Sequence, residues 1–179
     1  GNVGIGASSP GAKLDIVGSS LGIRVKKADL SDVLRVYTQG SGVFVNNGDF
    51  HVEDNVGIGT TSPTAKLDIE GDLQVKGVNI SNQENLDVDT GTETIATVVK
   101  ANYDAAFFDF VIKNGTNLRA GTVFAIHDGT NVEFTETSTN DLGDTSDVTL
   151  TVDISGTDMR LRATTTSDNW IIKSLVRTI

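Results

Sequence analysis

The sequence predicts an all-β chain in two parts, an intertwined trimeric β-prism or β-helix shaft followed by an antiparallel β-sandwich, and three observations predict it. A fifteen-residue stretch occurs twice, as NVGIGASSPGAKLDI over 2–16 and NVGIGTTSPTAKLDI over 55–69, identical at 12 of 15 positions. Such repetition is a structural signal before it is a chemical one. Glycine recurs at short intervals through the first half, between strand-forming runs of only three to five residues. From Thr92 onward the alternation of apolar and polar residues becomes longer and cleaner, and most of the aromatic residues gather there.

Composition bounds the possibilities. The chain has 179 residues, 37% hydrophobic and only 6% aromatic, which is lean for a self-sufficient core of that size. Part of its surface is therefore expected to be buried against other copies. A formal net charge of −10 and a pI near 4.5 argue against nucleic acid and against anionic membranes as partners. There are no cysteines, which removes disulfides, thiolate metal sites and a Cys nucleophile. No run of about 18 apolar residues offers a bilayer span, so membrane insertion is not expected. Beginning at Gly1 with no signal-like segment, the chain reads as a piece of a longer polypeptide.

Each repeat reads as a turn feeding a short strand. Gly4, Gly6 and Pro10 in the first copy, and Gly57, Gly59 and Pro63 in the second, shape the turns, with the glycines permitting positive φ and close chain approach. Further short strands carry Ile23 and Val25, Val43 and Val45, and Phe50 and Val52. Strands this short are expected to wrap around a common axis. Ile5, Leu14, Ile58, Leu67 and Ile69 from three chains would then form the trimer core, each buried aliphatic side chain contributing about 1.5–3 kcal/mol. Residues 28–38 are contested: Leu30, Val33, Leu34 and Tyr37 fall at helical spacing, whereas the β-branched run at 33–37 favours a strand. Alternation continues through Leu73 and Val75, so the shaft is placed at 1–80; the polar, acidic 81–91 reads as a linker.

The repeat NVGIGTTSPTAKLDI resembles one found in the slender homotrimeric shafts of bacteriophage tail-fibre and related adhesin proteins. That resemblance covers about 1–80 and implies a rod that positions something, with itself, as a homotrimer, and other virion or tail proteins as partners.

Residues 92–179 show about seven strands. Phe108, Phe110 and Ile112 share a face, as do Phe124 and Ile126, Val148 to Ile154 at every second position, Met159, Leu161 and Ala163, and Trp170 and Ile172. Turn signals such as Lys113-Asn-Gly-Thr-Asn117 and His127-Asp-Gly-Thr-Asn131 separate them. All these apolar sets are expected to point inward. The stretch from Phe108 through Leu161, with its HDGTN loop and the MRLRA run that follows, resembles a module at the C-termini of structural proteins of marine T4-like phages. It implies the same setting, a virion fibre that works outside the cell.

Chemical motifs are few. Gly6 to Lys13 comes near a phosphate-binding loop but has Ala12 before the lysine, and the second copy has Thr64 where Gly11 stands; a backbone role is read instead. Asp87, Asp89 and Glu93 lack the order of a calcium loop and read as solvated linker. His127-Asp128 could pair a base with a carboxylate, but the Gly-Thr-Asn that follows favours a hairpin turn. No catalytic, cofactor or metal constellation is assigned, and a non-enzymatic protein is expected. A glycan-binding face needs an aromatic ring beside amides and carboxylates. Tyr103 with Asn102 and Asp104, and the loop carrying His127, Asp128 and Asn131, offer that mix for a host surface glycan or outer-membrane protein; Trp170 is read as core. The rival readings are an architectural connector without a receptor, and the C-terminal fragment of a tailspike-type hydrolase.

Overall fold

The computed structural model describes residues 1–5, 8–9, 14–16, 52 and 54–179, with the backbone alone at 14–16. Gly6, Pro10 and the contested 28–38 lie outside the described residues. The described elements are all β-strands, and the chain divides into two compact units, Gly1–His51 and Val52–Ile179.

In the first unit, β1 (Val3–Ile5) pairs in parallel with β2 (Leu14–Ile16). In the second unit the repeat builds the same ladder from β3 (Val56–Ile58) and β4 (Leu67–Ile69). The eight-residue connection holds itself together through short-range bonds. Thr64 donates its N–H (2.8 Å) and its hydroxyl (3.0 Å) to the Asp68 carboxylate, and the Asn55 amide donates to the Pro63 carbonyl at 3.1 Å. Gly59 has φ 82°, and a Cβ at Gly57 would stand 2.4 Å from the Thr60 carbonyl oxygen, so this connection needs glycine at both positions.

The sandwich consists of two antiparallel sheets. β5 (Leu73–Val75), β6 (Val78–Val88), β8 (Ala105–Asn114), β9 (Asn117–His127), β10 (Val132–Ser138) and β13 (Trp170–Thr178) form one, in the order β10-β9-β8-β13-β6-β5. β7 (Gly91–Val99), β11 (Val148–Ser155) and β12 (Asp158–Thr165) form the other, in the order β11-β12-β7. Their facing sides share one core, in which Phe108, Ile112, Met159, Leu161, Trp170 and Ile172 are fully buried. In β7 a bulge at the Leu161/Arg162 step lets the adjacent residues Ile95 and Ala96 both reach this core.

Two sequence expectations are corrected. Residues 81–91 are not a linker: β6 runs through them to Val88, paired with β13, and β5 and the start of β6 bring 73–80 into the same sheet. The polar residues that masked its alternation point inward to bridge the two sheets. The Gln83 side-chain amide donates to the Thr97 carbonyl (3.0 Å) and accepts from the Thr97 N–H (2.8 Å), as a strand backbone would. Asn85, within 81–91, donates to Glu93 at 2.7 Å, so Glu93, read as solvated linker, is engaged within the fold.

The second correction concerns β9. Phe124 and Ile126 point outward, 42% and 61% exposed, and Val123 and Ala125 point inward. The register explains it: Val123 sits opposite Phe108 and Ala125 opposite Ala106, so the interior is filled by the rings of β8 and only small residues fit across from them. In Val123-Phe-Ala-Ile126 every residue is apolar, and alternation alone could not choose the face.

Phe108→Ala should lower the unfolding free energy by ~3–5 kcal/mol, the range for truncating a buried Phe. Gly121→Ala should destabilise as well, because its Cβ would stand 2.3 Å from the Thr137 carbonyl oxygen across the β9–β10 pair. Urea unfolding followed by Trp170 fluorescence reads both; an unchanged midpoint for Gly121→Ala would contradict the close strand approach.

Candidate functional site

Two loops at one end of the sandwich come together although 24 residues separate them in sequence. The loop between β7 and β8 is held by Asn102 N–H donating to the Val99 carbonyl (3.0 Å) and Asp104 N–H donating to the Ile179 carbonyl (3.0 Å). The β9–β10 hairpin loop is tied to it twice. His127 Nε2 donates to the Tyr103 carbonyl at 2.7 Å, and Lys100 Nζ donates to the Gly129 carbonyl at 2.9 Å. Both segments were candidates in the sequence; Lys100, which joins them, carried no motif that could have found it.

The hydrogen bonds define what the hairpin residues do. Gly129 N–H donates to His127 Nδ1 at 3.0 Å, which assigns the ring proton to Nε2, where it is donated to Tyr103. With both nitrogens engaged, the ring is a loop clamp and not a free base. Asp128 closes the turn. Its Oδ1 accepts from the N–H groups of Thr130 (2.9 Å) and Asn131 (2.7 Å), and its Oδ2 accepts from the Asn131 side-chain amide (2.9 Å). Those bonds, the Asn131 backbone N–H foremost, lower its pKa from 3.8 to about 2. Asn131 is thereby committed to the turn.

Tyr103 lies partly buried against the core and lines a cleft of about 330 Å³. Asp72, Asn79, Gln83, Asn102 and Thr178 line the same cleft with Tyr103. Asn79 is oriented by its own amide, which donates to Asp72 Oδ2 at 2.9 Å, and by its N–H, which donates to the Thr178 hydroxyl at 3.3 Å. Among the described residues, the Asn102 side-chain amide and the Tyr103 hydroxyl have no hydrogen-bond partner, so they are available to a ligand. Of the cleft residues only Tyr103, with its neighbour Asn102, was legible in the sequence; Asp72, Asn79 and Gln83 come from the segment read as shaft end and linker.

Neutral donors and acceptors beside one aromatic ring suit an uncharged, hydroxyl-rich ligand. One carboxylate, Asp72, is among the cleft-lining residues. Trp170, by contrast, is core: it is 2% exposed and its Nε1 donates to the Ser167 hydroxyl at 3.0 Å. Asp89 accepts from Asn169 N–H (3.2 Å), and both Glu93 oxygens accept hydrogen bonds, from Asp89 N–H and Asn85; the described residues contain no group of three or more metal-ligating side chains. No described helix is long and apolar enough to cross a membrane.

No protein-family model matches the chain, and no curated protein matches it. Among solved structures it is similar to the tailspike protein gp49 of Acinetobacter baumannii bacteriophage Fri1, a capsular polysaccharide depolymerase, at a TM-score of 0.36 and 13% identity. The match covers 60% of this chain and 19% of that one, and similarity at this level carries no argument about function.

Because the folded Asp128 carboxyl has the lower pKa, its contribution to the hairpin is complete above its ordinary value of 3.8 and is lost as pH falls through about 2. Amide signals of Thr130 and Asn131 should therefore titrate near pH 2 in the folded protein. A midpoint at 3.8 would mean the turn bonds do not persist in solution.

Proposed function

We propose that the chain is part of a homotrimeric structural fibre of a phage virion, and that its sandwich attaches the fibre to a glycan on the host surface. One observation carries the fibre reading. The duplicated motif folds twice into the same parallel ladder, in the same register (Val3 opposite Leu14, Val56 opposite Leu67), and each copy leaves apolar side chains uncovered. Ile5 and Ile58 are each 53% exposed and Leu67 56% exposed. A three-residue strand pair is too small to be stable in isolation. Burial of these side chains around a three-fold axis, with Leu14 and Ile69, offsets the ordering cost of such short strands. The resemblance of the motif to tail-fibre shaft repeats supports the same assembly and the same virion setting.

The attachment half of the reading is supported by the cleft. Tyr103 and Asn102 line it, the Asn102 side-chain amide and the Tyr103 hydroxyl make no hydrogen bond among the described residues, and the two clamped loops hold these residues in place before a ligand arrives. Preorganisation of that kind is what a weak, multivalent sugar contact uses, since three sites on one fibre act together.

The solution mass of the full chain by light scattering should be three times 18.9 kDa. Ile58→Asp should dissociate or unfold the repeat segment and leave the sandwich folded; a monomeric wild type would remove the fibre reading. On an array of bacterial surface glycans, Tyr103→Ala and Asn102→Ala should each weaken binding about tenfold, the loss of roughly 1.4 kcal/mol per site. Absence of any glycan binding by the wild type would leave a fibre with an architectural role.

A further inference from the structure

The outward faces of the two sheets are made differently. The three-stranded sheet presents Thr149, Thr151, Asp153, Arg160, Arg162 and Thr164, a polar surface knitted by Arg160, which donates to both Asp153 oxygens at 2.8 and 2.6 Å. This is an ordinary solvent face. The six-stranded sheet presents a cross-strand row that runs through every strand: Leu73, Ile80, Arg177, Phe107, Phe124 and Thr135. Ile126 and Leu175 flank it, 61% and 45% exposed. The row is ordered, with the Phe107 and Phe124 rings edge to face at 5.6 Å and the Arg177 guanidinium 4.9 Å from the Phe107 ring centre. Four of the six side chains in the row are apolar, and with Ile126 and Leu175 they form an exposed apolar cluster of the kind that marks a contact surface.

We propose that this face is a contact surface between copies of this chain, so that the sandwich holds the assembly together as well as the repeats. The inference rests on the homotrimeric reading above and names the part of the sandwich that serves it.

Two features point to another copy as the occupant. The first is charge. The chain carries −10, yet the charged side chains on this face are Lys113, Lys173 and Arg177 against Glu84, Asp109 and Glu133, which cancel. They also pair among themselves: Arg177 Nε lies 3.0 Å from Asp109, and Lys173 Nζ lies 3.0 Å from Glu84. A partner of opposite charge would be met by an unbalanced acidic face. A copy of a strongly acidic chain meets little net repulsion on a face whose paired charges nearly cancel, with Asp87 at its margin left over. The second is size. Six strands about 4.8 Å apart, from three to eleven residues long, span roughly 24 by 28 Å on average, or about 700 Å², close to the ~800 Å² that each partner contributes to a stable interface.

The native chain has no cysteine, so single cysteines report proximity cleanly. In the full-length chain, Phe124→Cys, Ile126→Cys and Leu175→Cys are made separately, with Thr149→Cys on the polar face as control, and each is oxidised at low micromolar concentration. At least one of the three should give covalent dimers on a non-reducing gel, and the control should stay monomeric. In parallel, Ile126→Lys and Leu175→Lys should raise the concentration at which the oligomer dissociates by tenfold or more, with far-UV circular dichroism unchanged. An oligomeric wild type with no cross-link at any of the three positions, and with both lysine variants assembling normally, would overturn this interface and leave the fibre reading standing. A monomeric wild type would overturn both. Cross-linking of the control to the same extent as the three would show random collision and overturn the interface. The shallow recess of about 290 Å³ between Phe107, Phe124, Ile126 and Phe134 offers a small apolar ligand as the rival occupant. Binding of a fluorescent apolar probe to the assembled wild type, undiminished relative to Ile126→Lys, would show the face open and count against the proposal.

Discussion

The register of β8 on β9 is the constraint on which the sandwich depends. It sets Phe108 against Val123 and Phe110 against Gly121, so that two rings fill the interior opposite residues small enough to admit them. Gly121 admits no side chain: a Cβ there would be 3.0 Å from the Phe110 ring and would press on the β10 backbone as well. Shifting the pairing by one residue would exchange the faces, sending Phe124 and Ile126 inward and the small residues out. The interior could not then hold both sets of rings at native density.

The same choice of register creates the outward aromatic band. A sheet whose inner face already has its large residues from β8 and β13 has no place for those of β9, and they remain on the surface. Their exposure in the single chain is what the proposed assembly would relieve. The repeats at the other end of the sequence follow the same logic, since their strand pairs are formed in one chain while their apolar side chains remain uncovered. Short ladders and the outward face of the six-stranded sheet both leave apolar side chains exposed within one chain, and the proposed assembly rests on that exposure.

Polar residues do the joining. Gln83 spans from one sheet to the other through a paired amide contact with Thr97, and the turn beyond it is anchored when Thr90 donates its N–H (2.8 Å) and hydroxyl (2.6 Å) to Asp168. At the cleft end, His127 and Lys100 fasten the Tyr103 loop to the β9–β10 hairpin. Among the described residues, the Asn102 side-chain amide and the Tyr103 hydroxyl are left without a hydrogen-bond partner, and the bonds within the hairpin explain why its histidine and aspartate are structural.

The sequence by itself determined the all-β class, the duplication, the hairpin at 127–131 and the burial of Trp170, because each is written in local pattern: identity at a fixed spacing, turn residues, and strict alternation of apolar with polar. It could not determine which face of an all-apolar stretch points inward, nor that the polar run 81–91 is a strand whose side chains bridge two sheets. Nor could it place Asp72, Asn79 and Gln83 beside Tyr103. Those were decided by the tertiary structure, since they follow from which strands pair and in what register. Burial and hydrogen-bond satisfaction are settled between segments distant in the chain, where local periodicity carries no information.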